Sequence, residues 1–356
     1  MDFTSGSNEL VIASDNLTKS KVEPFSNLFE DIKEFDLKNF TVFDSFSKAY
    51  SVINNPKYQR IICSISGGSD SDVMLDLIYR CDKEHKVRYV WMDTGLEYKA
   101  TKEHIAFLEK KYNISVERYR GVPIPLTTRK FGQPCISKNA AEYIYRLQLH
   151  DFKWEDKPFE ELLEEYPNCK SALEWWCNKK ISPRINISWN KYLKEFMVAN
   201  PPRFKISAKC CLYSKEKVAA DIYTNENCHL GIVGLRKAEG GVRSVRFHNC
   251  ISLKPEGGCD EYRPLFWFKN KDKADYEKTF EVKHSECYSK YCLPRTGCAC
   301  CPFGLGFEQE LEVARQYEPN LYTAANNIFG DSYEYTRKYR RFVELMNQER
   351  PNKKVR

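Results

Sequence analysis

Arg60-Ile61-Ile62-Cys63-Ser64-Ile65-Ser66-Gly67-Gly68-Ser69-Asp70-Ser71-Asp72-Val73-Met74-Leu75 is the stretch whose reading decides the fold. Its apolar run, Ile61, Ile62, Cys63 and Ile65, stops at Ser66-Gly67-Gly68. Val73, Met74, Leu75, Leu77 and Ile78 then resume at helical spacing. The order is strand, glycine turn, helix. Paired glycines let successive backbone N–H groups converge without Cβ obstruction, and the dipole of the following helix adds positive potential there. The turn is therefore a candidate phosphate site. The hydroxyls of Ser66, Ser69 and Ser71 offer further donors. The competing reading is a plain tight turn in which Ser71 or Asp70 caps the helix.

Working outward, Val87–Met92 reads as a second buried strand ending at Asp93-Thr94-Gly95, with Ile105, Leu108 and Tyr112 on one face of the next helix. Residues 114–119 form a third strand, and the apolar run over 230–235 fits the last strand of the same sheet. Alternating units of this kind predict an α/β fold, a parallel sheet with helices on both faces. The expected organisation is an N-terminal extension over 1–55, then a nucleotide-binding α/β domain over 56–250 with an insertion near 140–200. A cysteine-rich, helical region follows over 251–356. Trp154, Trp175 and Trp176 in the insertion are expected in a core, since aromatics dominate burial.

The 356 residues carry 29% charged and 42% hydrophobic side chains, ordinary for a globular chain. Residues 1–20 lack the basic start and apolar run of a secretory signal, and no segment approaches a membrane span, so a cytoplasmic protein is expected. In that compartment the 15 cysteines suit reduced thiols or metal ligands better than a disulfide framework. The net charge is +7, yet residues 1–40 hold 4 Lys against 8 Asp and Glu, which leaves the body basic. Such a field suits a polyanion. Residues 335–356, with 8 Lys and Arg against 2 Glu, are compatible with a nucleic-acid contact but more often mean a solvated helix face.

The glycine turn lacks the Gly-Lys-Ser/Thr ending of a Walker loop and the spread glycines of a dinucleotide fingerprint. It resembles the SGGxDS signature of the pyrophosphate-loop superfamily. Asp93-Thr94-Gly95-Leu96-Glu97 with Thr101 resembles the DTG…E…T segment of the phosphoadenosine phosphosulfate (PAPS) reductase family. The stretch from Gly234 through Arg236 and Glu239 to Arg243 is similar to that family's arginine-bearing element. The resemblance implies an adenine nucleotide, ATP with magnesium or an adenylyl sulfur compound, held by residues 66–71, Asp93, Thr94, Gly95, Arg236 and Arg243. Asp70 or Asp93 would position the metal.

Cys210 and Cys211 are adjacent, and Cys298 and Cys301 form a C-x-x-C pair 87 positions after Cys211. This arrangement resembles the way adenylyl-sulfate reductases hold a 4Fe-4S cluster, and soft thiolates in fours suit that chemistry. The alternatives are zinc on the same four thiols, a local zinc site from Cys287, Cys292, Cys298 and Cys301, or unligated buried thiols. Family reductases attack sulfur with a cysteine near the C-terminus, and no cysteine follows Cys301 here. Cys300 is the weak candidate for a stand-in. The expectation is therefore a sulfur-metabolism transferase or oxidoreductase that binds ATP or an adenylyl sulfur nucleotide and uses a 4Fe-4S cluster either in sulfur transfer, with acceptor adenylylation and pyrophosphate release, or in reduction, served by a thioredoxin-like reductant or a cysteine desulfurase. The rivals are a genuine sulfonucleotide reductase and a non-catalytic nucleotide- or nucleic-acid-binding module with structural zinc.

Overall fold

A computed structural model describes residues 39–240, 247–255 and 257–350. Six strands form one sheet in the order β3-β2-β1-β4-β6-β5. They are β1 (Ile61–Ile65), β2 (Val87–Met92), β3 (Val116–Tyr119), β4 (Leu230–Val233), β5 (Ile251–Ser252) and β6 (Asp260–Tyr262). All neighbours run parallel except β5 against β6. The sheet thus continues past residue 250, where the sequence suggested a domain boundary. β6 pairs Leu230 with Asp260 and Ile232 with Tyr262 beyond β4. Asp260-Glu261-Tyr262 carries no apolar run, so nothing local announces it as a strand.

β1 is central because Ile61, Ile62, Cys63 and Ile65 are buried, as a strand covered on both faces requires. The chain leaves β1 toward β2 on one side and returns at β4 on the other, so the strand order reverses at β1. In open α/β sheets that reversal opens a crevice beyond the carboxyl ends of the strands. The Ser69–Cys81 helix starts there, with Asp70 and Asp72 in its first turn and Arg80 in its last, matching its dipole. The Lys99–Tyr112 helix ends on Asn113 at φ 49°, a left-handed C-cap that returns the chain to β3.

The Phe40–Ile53 helix packs on the sheet core through Val42, Phe46, Ala49 and Ile53. The insertion has its own core, in which Trp175 and Trp176 are fully buried and Phe152, Trp154, Tyr166 and Trp176 meet edge to face. The 31-residue Pro319–Glu349 helix joins that core through Tyr335 and the cysteine-rich region through Phe329 and Tyr333. Among the described residues no helix is long and apolar enough to cross a membrane.

Candidate nucleotide and thiol site

The glycine turn lies at the carboxyl end of β1, where a Cβ on Gly68 would stand 3.0 Å from Thr296 Oγ1 and 3.5 Å from the Tyr288 hydroxyl. Gly67 has φ +67°, and a Cβ there would stand 3.0 Å from Thr101 Cγ2 and 3.5 Å from Ile105 Cδ1. Only glycine takes that conformation without strain, so the bend depends on it. Gly234, just past β4, brings the next loop to the start of the Ser69–Cys81 helix: a Cβ on it would meet the Asp70 carbonyl at 3.3 Å.

Neither Asp70 nor Ser71 caps the helix. The cap position is Gly68, with no side-chain bond. Ser71 Oγ instead accepts the Ser66 N–H at 2.9 Å and ties the bend to itself. The Asp70 carboxylate is flanked by two cations, Arg236 Nε at 2.9 Å and Lys273 Nζ at 2.8 Å. Lys273 Nζ also donates to Ser69 Oγ at 2.5 Å. Arg236 is fixed by Asn270 Oδ1 at 3.0 Å, and its own N–H donates to Glu239 Oε1. The loop amides are not all open, because the Ser69 N–H donates to the Tyr288 hydroxyl at 2.9 Å. Arg243 lies outside the described residues.

Lys273 and Tyr288 escape sequence reading because they arrive from about two hundred residues away, with no motif around them. What delivers Lys273 is a buried tether. Asp76 in the loop helix accepts the hydroxyls of Tyr112 and Tyr276, each at 2.7 Å, and Tyr276 stands three residues beyond Lys273 in the Asn270–Thr279 helix.

A second tether is ionic. Buried Asp72 meets His104 Nε2 at 3.0 Å and His284 Nδ1 at 2.8 Å, while His284 Nε2 meets Glu277 at 2.8 Å. Burial opposes protonation of His284, but Asp72 and Glu277 outweigh it and push its pKa up to about 9, from an ordinary 6.5. A raised folded-state value means stabilisation that is complete below about pH 6.5 and disappears as the pH rises through about 9. Replacing His284 with glutamine should therefore flatten the fall in stability over that window, a difference on the order of 2 kcal/mol, read from urea midpoints at several pH values.

On the β2 side, Asp93 Oδ1 accepts the Gly95 N–H at 2.9 Å, and Oδ2 accepts both Nε and Nη2 of Arg120. Burial would raise this carboxyl, yet the Gly95 amide and the Arg120 guanidinium hold it below its ordinary value. Gly95, at φ +80°, has open space around it. Thr94 Oγ1 donates to buried Glu97 at 2.8 Å.

The same β2 loop touches the thiols. The Ala299 N–H donates to the Leu96 carbonyl at 2.7 Å, and the neighbouring Cys298 thiol lies within electrostatic reach of Lys215 and Glu97. Cys210, Cys211, Cys298 and Cys301 gather here, each within electrostatic reach of the other three. Cys210 and Cys211 occupy the Lys209–Cys211 turn, which runs into a π-helical segment, Leu212–Glu216. π-segments recur at functional sites. The S–H of Cys210, aided by Lys138 and Lys215, brings Cys211 down to about 7 against burial, whereas burial raises Cys298 and takes Cys301 up to about 12. Lys215 is itself held protonated, because Cys298 and Glu97 overcome its burial.

Among the described residues, no three His, Cys, Asp or Glu side chains stand arranged to hold a metal ion. The fold supplies four soft donors in one place, not a preformed coordination geometry. Cys287 and Cys292, the partners of the local-zinc alternative, face elsewhere. Cys287 is buried against Thr101 Oγ1 at 3.5 Å, and Cys292 is exposed. Cys300 is fully buried at φ +56°, its amide on Glu310 Oε2 and its thiol on the Glu310 carbonyl. Burial and Glu310 push its pKa up to about 12, surroundings that favour the thiol over a nucleophilic thiolate.

The mostly parallel sheet, with its glycine bend at the strand-order reversal, defines an α/β protein. Residues 60–124 match the family model of the phosphoadenosine phosphosulfate reductase domain. No curated protein matches it by sequence. Similar solved structures include a PAPS reductase from Candida auris in a phosphate complex, 12% identical, with 77% of this chain and 94% of that one covered at a TM-score of 0.37. The tRNA thiolase NcsA from Methanococcus maripaludis, solved with its 4Fe-4S cluster, is 16% identical over 86% of this chain and 81% of its own, at 0.38. An NH3-dependent NAD synthetase from Campylobacter jejuni is 13% identical over 83% and 94%, at 0.35.

Proposed function

We propose that the chain is an ATP-dependent sulfur-transfer enzyme that adenylylates its acceptor at the glycine bend and draws on a 4Fe-4S cluster at the neighbouring thiols. The observation that carries this reading is the shared wall between the two sites. Thr94 Oγ1, in the loop that closes β2 beside the bend, donates to Glu97, which pairs with Lys215 from the segment after Cys211, and the Leu96 carbonyl of the same loop accepts the Ala299 N–H next to Cys298.

The chain's own residues divide the work. Amides of residues 66–71 receive the phosphates, with Arg236 and Lys273 turning from Asp70 toward them as the nucleotide's charge arrives. Tyr288 yields the Ser69 amide to a phosphate oxygen. Asp70, relieved of its two cations, is placed to hold magnesium, and Asp93 stays with Arg120 and fixes the β2 loop. Attack by an acceptor oxygen on the α-phosphorus breaks the bond to the β-phosphate and releases pyrophosphate. Cys210, Cys211, Cys298 and Cys301 match a 4Fe-4S cluster in donor type and number, and Lys215 supplies a compensating charge. Bound there, the cluster would supply redox-active iron and positive charge beside the nucleotide site.

Two measurements test this. Lys273→Ala should weaken binding of a non-hydrolysable ATP analogue by about tenfold, as loss of one charge-assisted phosphate contact requires, and calorimetry reads it. Anaerobic protein given ATP and a sulfide source with candidate acceptors should release pyrophosphate. Release of sulfite from an adenylyl sulfate with thioredoxin instead identifies a reductase, and ATP binding without any turnover identifies a binding module.

A further inference from the structure

At the opposite edge of the sheet lies a second thiol site. β4 and β6 run parallel with Leu230 opposite Asp260, which sets Cys228 and Cys259 side by side at the amino ends of their strands. Their sulfurs stand 3.1 Å apart, with the Cys259 S–H directed at Cys228. Cys228 is buried, 5% exposed, among Ile62, Val90 and Ile222, while Cys259 is partly exposed. A disulfide bond is about 2.05 Å long, so roughly 1 Å of closure joins them. The Cys259 S–H and, more weakly, the Leu230 and Ile62 amides and Arg60 hold the Cys228 thiol below its ordinary value, with burial opposing.

We infer that Cys228 and Cys259 form a redox-active dithiol that exchanges with low-molecular-weight disulfides and closes an internal disulfide. Cys259, the accessible sulfur, loses its proton to solvent and attacks one sulfur of the external disulfide. That S–S bond breaks, one external thiolate leaves, and a mixed disulfide forms on Cys259. The leaving thiolate takes up a proton from solvent, and the Cys228 thiol loses its own to solvent. Cys228 then attacks the Cys259 sulfur, the internal S–S bond forms, and the second external thiolate is released. The protein loses two electrons and the external disulfide gains them.

The closed loop spans 31 positions and contains β4 and Arg236, so oxidation staples the base of the segment that carries the arginine beside Asp70. Neither sulfur belongs to the quartet of Cys210, Cys211, Cys298 and Cys301, and the inference stands without the proposed sulfur transfer.

The test uses the full chain in glutathione buffers of increasing oxidised fraction, quenched with an alkylating agent and mapped by peptide mass spectrometry. The expected product is a Cys228–Cys259 cross-linked peptide lighter by two hydrogens, present before other cysteine pairs oxidise. In Cys228→Ser, Cys259 should accumulate as a stable glutathione adduct, because the resolving sulfur is gone. Recovery of both cysteines as alkylated thiols at the oxidising end, pairing of either with a different cysteine, or an unmodified Cys259 in Cys228→Ser would each overturn the inference.

Discussion

Gly67→Val is expected to remove nucleotide binding while leaving the sheet folded. At φ +67° any β-carbon is strained by about 1–2 kcal/mol. The new side chain must also pass Thr101 Cγ2, 3.0 Å from its Cβ, and Ile105, both on the buried face of the Lys99–Tyr112 helix, which adds about 1–3 kcal/mol of overpacking. The bend is the softest way out, because Ser66 is exposed and Gly68 and Ser69 are only partly buried while the helix is pinned in the core. Relaxing there turns the Gly68 and Ser69 amides out of register with a phosphate. A loss of roughly 100-fold in affinity for an ATP analogue follows, at about 1.4 kcal/mol per tenfold. Calorimetry reads the affinity, and circular dichroism checks the fold. Wild-type affinity in a folded variant would remove the bend from the binding site.

Cys298→Ser should leave the anaerobically purified protein with less than about a tenth of its wild-type iron and acid-labile sulfide, since a hard hydroxyl replaces one of four soft ligands. Cys210→Ala should do the same and bleach the broad iron–sulfur absorbance. Cys292 and Cys300 serve as controls from the same stretch of chain. Cys292 is exposed, and Cys300 is turned toward Glu310, so Cys292→Ser and Cys300→Ser should keep their iron. Cys300→Ser should still cost stability, because its thiol fills a fully buried site. Stoichiometric zinc without iron in the wild type would refute the cluster, and metal lost from Cys292→Ser would shift the site to the local cysteines.

The central unit of the fold is legible in the sequence because its signals are local. A buried parallel strand must be apolar on both faces, as Ile61, Ile62 and Ile65 are, and a bend with Gly67 at positive φ must carry glycine. β2 and β4 follow by the same rule. The edge of the sheet is not legible, because β6 is three residues of Asp, Glu and Tyr whose pairing is set by β4 rather than by their own pattern. Asp70 reads as a helix cap from its position alone. Only the approach of Arg236 and Lys273, from 166 and 203 positions downstream, makes it the centre of a charged group.

The thiols divide along the same line. Spacing singles out Cys210, Cys211, Cys298 and Cys301, yet it gives no hint that Lys215 pairs with Glu97, that the Ala299 amide beside Cys298 meets the Leu96 carbonyl, or that Cys300 turns inward to Glu310. Sequence by itself determined the strand, the bend, the helix and the number of soft donors, since backbone geometry and burial act between near neighbours. Tertiary structure alone decided which charges meet at the bend and which thiols face one another. Coulombic and hydrogen-bonded contacts depend on separation in space, and the chain brings those partners from segments that share no local pattern.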